Sequence, residues 1–282
     1  MSNESFLGEF LRARRGGIKP EDAGLPAHES RRVPGLRREE VACLAGISTD
    51  YYIRLEQGRE TNPSPQVLDA VARALQLDGD AAEHARRLVT AQNEPARRPD
   101  TELVSPHLLQ IMDYFDQTPA FVLGSAMDFL ACNPMARALH GGFDAIDNFA
   151  RMVFVDPAGR CFFRDWVNVA ETCVSELRAA FGINPYSDRI REVVETLSAQ
   201  SGEFVELWET HLVRRRSRGE QRLNHPVVGL LDVQYSVFNV NDAPEQQLVV
   251  HQAGAASLTA TALRLLGEGI GQSAGPGALH QA

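Results

Sequence analysis

Cysteine is scarce and scattered: Cys43, Cys132, Cys161 and Cys173 are the whole complement, no two form a C-x-x-C pair, and none has a histidine at a zinc-like interval. No metal site is expected, and reduced structural thiols are the simplest reading, with a redox-sensing pair left open by the spacing. No stretch approaches about 18 consecutive apolar residues. The opening MSNESFLGEF lacks the basic-then-apolar pattern of a signal peptide, so the cytoplasm is the expected location. A Gly-rich phosphate loop, a nucleophile turn and a paired-carboxylate context are also missing, which argues against an enzyme and leaves no cofactor to expect. There is no internal repeat of 20 to 50 residues.

Positive charge is in deficit too, with a net charge of -9 over 282 residues. Dividing that charge by position is informative. Residues 1 to 98 carry 15 Lys and Arg against 15 Asp and Glu, whereas residues 99 to 282 carry 13 against 22, so all the excess lies in the second part. An acidic C-terminal part should not itself track phosphates. The length suits two domains.

What is present in the first hundred residues is a series of short helices. Phe6, Leu7, Phe10 and Leu11 form an apolar stripe ending at Gly16-Gly17. A long polar stretch with Arg31-Arg32 and Arg37-Arg38 on either side of Pro34-Gly35 follows, unusual between helices of a compact domain. Pro65 opens a further helix carrying Leu68, Val71, Ala72 and Leu75, and another spans 79–92. The polar run NEPARRPDT is a linker signal. Beyond it, helices are expected over 106–115, 133–139, 166–181, 187–197 and 257–266. Strands are expected within 120–133 and over 212–223, 229–240 and 247–250. Strands around a helical middle give an α+β domain with an antiparallel sheet. The expected organisation is an all-α domain over 1–92, a linker over 93–101, an α+β domain over 102–268 and a disordered tail over 269–282.

The strongest local signal is RREEVACLAGISTDYYIRLEQGR, residues 37–59. Ala42 is small where a second helix must approach, Gly46 can take the positive φ of a tight turn, and Val41, Leu44, Ile47, Tyr52 and Leu55 supply a shared apolar face. Ser48 is a natural N-cap and Gly58 a natural stop. The face left over is that of a recognition helix in a major groove. On it, Thr49, Asp50, Tyr51 and Arg54 are candidates for base contact, with Arg54 suited to guanine and Asp50 to a cytosine amino group. Arg37, Arg38 and Ser48 near the helix starts, and Arg59 and Asn62 beyond the second helix, are the remaining candidates, Arg38, Arg59 and Asn62 for phosphates.

The run from Gly35 to Gly58 resembles the XRE-type helix-turn-helix, and GLPAHESRRVPGLRREEVA resembles its MmyB-like subgroup. The resemblance continues through FVLGSAMDFLACNPMARAL, FVELWETHLV and LNHPVVGLLDVQYSVF. It implies a lambda-repressor-like N-terminal domain and a PAS-like C-terminal domain enclosing an apolar cavity. It implies that Arg38 stands where this fold often has a phosphate-contacting glutamine, and that Glu56 has a structural pairing role.

The C-terminal part is rich in large apolar residues, most of which must be core. Those expected to line a cavity for a small apolar, fatty-acid-like ligand are Phe121, Met135, Phe154, Phe163, Trp166, Phe204, Trp208 and Tyr235, with His211 as a polar partner. The basic run from Arg214 to Arg218 reads as a solvated edge strand, and His225-Pro226 as a turn entering the next strand. The expected function is a transcription regulator that binds a double-stranded operator, expected to be an inverted repeat, as a homodimer, and responds to the ligand. The alternative is a DNA-binding regulator whose C-terminal domain serves only dimerisation or a protein partner.

Overall fold

The computed structural model describes residues 6–26, 33–93, 103–211 and 218–273. In chain order the elements are α1 (Phe6–Gly16), α2 (Arg38–Ala45), α3 (Thr49–Glu56), α4 (Pro65–Ala74), α5 (Gly79–Asn93), α6 (Pro106–Asp113), β1 (Ala120–Leu123), β2 (Phe129–Cys132) and α7 (Pro134–Leu139). Then follow α8 (Phe149–Phe154), α9 (Pro157–Phe162), α10 (Trp166–Ile183), α11 (Asp188–Gln200), α12 (Gly202–Glu209), β3 (Arg218–His225), β4 (Gly229–Val240), β5 (Ala243–Gln252) and α13 (Leu258–Ser273). They form two compact units. The described residues of the first fall within 1–99, 174–191 and 203–215, and those of the second within 100–173, 192–202 and 216–282.

In the first unit, the i, i+3, i+4 stripe of α1 places Leu7, Phe10 and Leu11 in a core with Val41, Tyr52, Leu55, Val71 and Leu75. Burying each such side chain contributes about 1.5 to 3 kcal/mol. Serine caps start two of the helices: the Ser48 hydroxyl accepts from the Tyr51 N–H and the Ser64 hydroxyl from the Val67 N–H. Such caps satisfy N–H groups that have no partner inside the helix. Leu44 departs from the expected shared face, because α2 buries Val41 and Ala42 while Leu44 is 40% exposed. Ala179 of α10 belongs to this same core, so the unit is not made from N-terminal residues alone.

The second unit is built on a five-stranded antiparallel sheet in the order β2-β1-β5-β4-β3, the PAS-like α+β arrangement. One face holds Ala120, Val122, Leu248 and Val250 against Leu108 and Met112 of α6. Strand alternation turns Phe121, Val249 and His251 to the opposite face. The hairpin between β4 and β5 is tighter than expected, with only residues 241–242 between the strands, so β5 begins at Ala243. The strand expected from 212 is described from Arg218, and residues 212–217 lie outside the described ones, as do 94–101 of the expected linker, residue 102, and 274–282 of the expected tail. Arg218 is exposed at the head of edge strand β3. Phe238 is 55% exposed, on the outward phase of β4. Three short helices, α8, α9 and α12, had no expectation attached to them.

Asn133 ties the start of this sheet together. Its side-chain oxygen accepts from the N–H groups of Ala136 at 2.8 Å and Ala120 at 3.1 Å. Its amide nitrogen donates to the carbonyls of Phe115 and Thr118, both at 2.8 Å. Asn133→Ala should lower the unfolding free energy by about 2 to 3 kcal/mol, since it removes a cap and orphans buried groups. Asn133→Asp, which keeps the acceptor but cannot donate, should not restore it. Urea denaturation of the two variants checks both expectations.

Candidate functional site

The turn between α2 and α3 is closed by Gly46 at φ 67, a left-handed conformation that favours glycine. The Ile47 N–H returns to the Ala42 carbonyl at 3.0 Å. This turn sets α3 with Tyr52, Leu55 and Glu56 inward. The opposite face carries exposed Ser48, Asp50 and Arg54, with Thr49 and Tyr51 half-buried. The Arg54 guanidinium lies 5.6 Å from the Tyr51 ring centroid, which restrains a long cation before any partner arrives. Arg59 and Asn62 are exposed just beyond the helix, and the Arg59 N–H closes the helix end on the Arg54 carbonyl at 2.8 Å. Thus Ser48, Thr49, Asp50, Tyr51, Arg54, Arg59 and Asn62 lie on or directly after one helix, while Arg37 and Arg38 sit half-buried at the start of α2. The Arg37 N–H donates to the Glu40 carboxylate at 2.7 Å, fixing that start.

Arg38 has a second engagement that its sequence position does not disclose. Its Nε and Nη2 each lie 3.2 Å from a Glu56 carboxylate oxygen. Arg15 of α1 binds the same carboxylate through Nε at 3.2 Å and Nη2 at 2.8 Å, and gives Nη1 to the Leu36 carbonyl at 2.8 Å. Arg12 brings a third guanidinium, at 3.5 Å. The Glu56 side chain has no solvent exposure. Burial alone would raise its pKa, but the hydrogen bonds and charges of Arg15 and Arg38 outweigh burial and hold it below the ordinary value. Gly8 lets α1 come this close: a Cβ there would fall 2.2 Å from the Glu56 carbonyl oxygen.

The residues expected to line a ligand cavity fall into two places. Phe204, Trp208 and His211 belong to the first unit. There the Phe204 and Trp208 rings stack at 5.6 Å, Arg178 lies 3.9 Å over Trp208, and Arg178 Nη1 meets His211 Nδ1 at 3.0 Å. Burial, then the Arg178 charge, pushes the His211 pKa down to about 3. Phe121, Met135, Phe154, Phe163, Trp166 and Tyr235 belong to the second. Phe154 and Trp166 pair edge to face at 5.6 Å, with Arg160 over the indole at 3.4 Å and the indole N–H on the Val153 carbonyl at 2.8 Å. Met135 is buried.

Phe121, Phe163 and Tyr235 join a ring cluster around two histidines that sequence reasoning did not single out. His251 lies 5.6 Å from Phe121 and 6.4 Å from Tyr235, and His140 lies 6.2 Å from Phe143, which lies 6.1 Å from Phe163. Burial lowers the His140 pKa to about 4 and that of His251 to about 3, so both are neutral. The inward phase of β5, where His251 alternates with Val249, was the available signal. His225, buried at the end of β3, orders the β3–β4 turn: Nδ1 accepts from the N–H groups of Val227 and Val228, and Nε2 reaches the Ala138 carbonyl at 3.1 Å. Cys43 and Cys161 are exposed and Cys173 is buried against Met127, with sulfurs 3.3 Å apart. Among the described residues no group of His, Cys, Asp or Glu side chains gathers as a metal site, and no helix is long and apolar enough to cross a membrane.

Glu56→Gln should destabilise the first unit by about 3 kcal/mol at neutral pH, since it leaves the largely enclosed Arg15 guanidinium without its anion. In the native protein, the stabilisation from this depressed carboxylate is complete above its ordinary pKa of 4.5 and is lost as pH falls through the lower folded value. Thermal unfolding across the acid range should therefore be steeper for the native chain than for Glu56→Gln.

A family model described as a helix-turn-helix domain matches residues 7–85. A second, described as MmyB-like transcription regulator ligand binding domain, matches residues 104–266. A search of curated proteins found no match. The first match contains α2, α3 and the Glu56 network; the second contains the whole sheet and its ring cluster. A helix-turn-helix that leaves its recognition face free, followed by a ligand-binding domain, makes a DNA-binding transcription regulator, and the chain belongs to the MmyB-like family of such regulators.

Proposed function

We propose that the chain binds an inverted-repeat operator as a homodimer and that a small apolar, fatty-acid-like molecule, held in the C-terminal domain, shifts operator affinity. The observation that carries the coupling is the composition of the first unit. The described residues within 174–191 and 203–215 lie inside the ligand-binding match yet belong to the unit that holds α3. Within that unit Phe6 packs on Phe181 at 5.0 Å and Phe10 lies 6.3 Å from His211. A ligand that reorders those segments has a packed route to α1, and α1 holds Glu56 of the recognition helix through Arg12 and Arg15. Dimerisation follows from recognition: one eight-residue helix reads too few bases to find a site in a genome, so two half-sites about 10 base pairs apart, or a multiple, are needed.

Arg54 and Arg38 have different roles in this reading. Arg54 reads a base, while Arg38 neutralises a phosphate and buttresses Glu56. On duplexes selected from a random pool, Arg54→Ala should cost about 1 to 3 kcal/mol on the selected sequence and little on a scrambled one. Arg38→Ala should weaken both alike. Equal losses for Arg54→Ala would remove its base-reading role, and a monomer that binds one half-site at full affinity would remove the dimer.

Coupling between ligand and operator is reciprocal and typically about 1 to 3 kcal/mol. Titrating decanoate against the full chain, followed by tryptophan fluorescence, should give different affinities with and without operator. Identical affinities would remove the coupling, and no binding of decanoate or of the other apolar probes below would leave a C-terminal domain that serves assembly alone.

A further inference from the structure

The face of the sheet that holds Phe121 and Val249 also carries a polar pair from β5 and β3. His251 of β5 is fully enclosed, and its Nε2 lies 3.2 Å from the side-chain oxygen of Gln221 on β3. An amide oxygen only accepts, so Nε2 carries the proton and Nδ1 is left as a bare lone pair. That nitrogen has no solvent exposure and no hydrogen-bond partner among the described residues. His140 stands at the end of α7. Its Nδ1 lies 2.9 Å from the Ala136 carbonyl and must donate, which makes Nε2 an acceptor. The two ring centroids are 6.5 Å apart; the phenylalanines beside them, Phe121, Phe129, Phe143 and Phe162, offer neither donor nor charge, and the Tyr235 ring lies 6.4 Å from His251. Buried acceptors are rarely left unpaired, and each one left so costs stability.

From this geometry we infer that the His251–His140 pair is the head-group subsite of the C-terminal domain, and that it takes an uncharged hydrogen-bond donor, an alcohol or an undissociated acid, on an apolar body. The inference rests on the ligand-binding reading above and narrows it. A carboxylate would meet lone pairs rather than donors, unless an imidazole first took up a proton, which its enclosure opposes. An ester has the same apolar body but nothing to donate.

Three probes of equal chain length separate these cases: decanol, methyl decanoate and decanoate, titrated into the full chain near pH 8, where decanoate is ionised. Decanol should bind at least about tenfold more tightly than methyl decanoate, the effect of one buried hydrogen bond made or missing, and decanoate should be the weakest. His251→Phe should bring decanol to parity with methyl decanoate and leave the ester unchanged. Nitrogen NMR of the histidine-labelled native chain gives a readout that does not depend on a variant folding. His251 should be protonated at Nε2, and decanol, but not the ester, should shift Nδ1. Binding of decanol and ester with equal affinity, preference for decanoate, a proton on Nδ1, or an Nδ1 signal unmoved by decanol, as with an internal water already bonded there, would each overturn the inference while leaving an apolar ligand site standing. If none of the probes binds, the apolar-ligand reading falls and this inference falls with it.

Discussion

A carboxylate can be enclosed in a small helical core only if cations enclose it, and Glu56 is enclosed by three. That requirement constrains much of the first unit. Two of the cations come from α1 and one from α2, so the end of the recognition helix is fixed to both elements through a single pair of oxygen atoms. The arrangement demands a close approach, which only a residue without a Cβ allows at Gly8. It also constrains orientation. An apolar contact at the same place would bury as much surface but permit the helix to rotate or slide, whereas guanidinium forks on one carboxylate hold direction as well as distance. For a helix proposed to present Arg54 and its neighbours to base edges, direction is the property that matters.

Such a network is not a large source of net stability. Desolvating a carboxylate and its partners costs several kcal/mol, and the pairing returns little more than that. The acid sensitivity of the first unit is thus a by-product of buying geometry with a buried charge. The second unit shows the same logic with other side chains: Asn133 ties the stretch 115–120 to the start of α7 with neutral hydrogen bonds, and the His225 ring fixes a turn. In each case one polar side chain replaces an extended apolar contact where loops, rather than regular elements, have to be positioned.

The elements with strong local signals were legible in the sequence. Ser48, Gly46 and Gly58 bracket α3 because caps and positive φ are decided by the residue itself and its nearest neighbours. The same holds for Pro65 at the start of α4 and for the Asn133-Pro134 start of α7. Leu44 was misjudged because the spacing that joins it to Val41 is equally compatible with the outer side of a two-turn helix, and only the tertiary partner decides between them. Helices α8, α9 and α12 are six to eight residues long, too short for periodicity to register. In the candidate sites, the exposure of the outer face of α3 was readable as what the core did not need. The partners of Glu56 were not: Arg12, Arg15 and Arg38 lie 44, 41 and 18 residues away, and no local rule connects them.

The same limit explains why the cavity residues expected from the sequence divide between two units. Large aromatic side chains identify themselves as buried, but not as buried together. Phe204, Trp208 and His211 have the composition of a ligand wall, yet they pack with Arg178 beside Phe10 of the helix-turn-helix unit. Arg178 is itself almost fully enclosed, and burial pulls its pKa down to about 9. A cation held there by a carbonyl, an imidazole and an aromatic face, with the Glu9 charge in support among the described residues, has weaker compensation for its desolvation than the arginines around Glu56 have. If part of the first unit is to yield when the C-terminal domain changes state, the weakly compensated arginine should yield before the strongly compensated carboxylate. The recognition helix would then keep its own orientation while the segments within 174–191 and 203–215 rearrange, which is how a regulator can alter where its DNA-reading heads stand without altering what each of them reads.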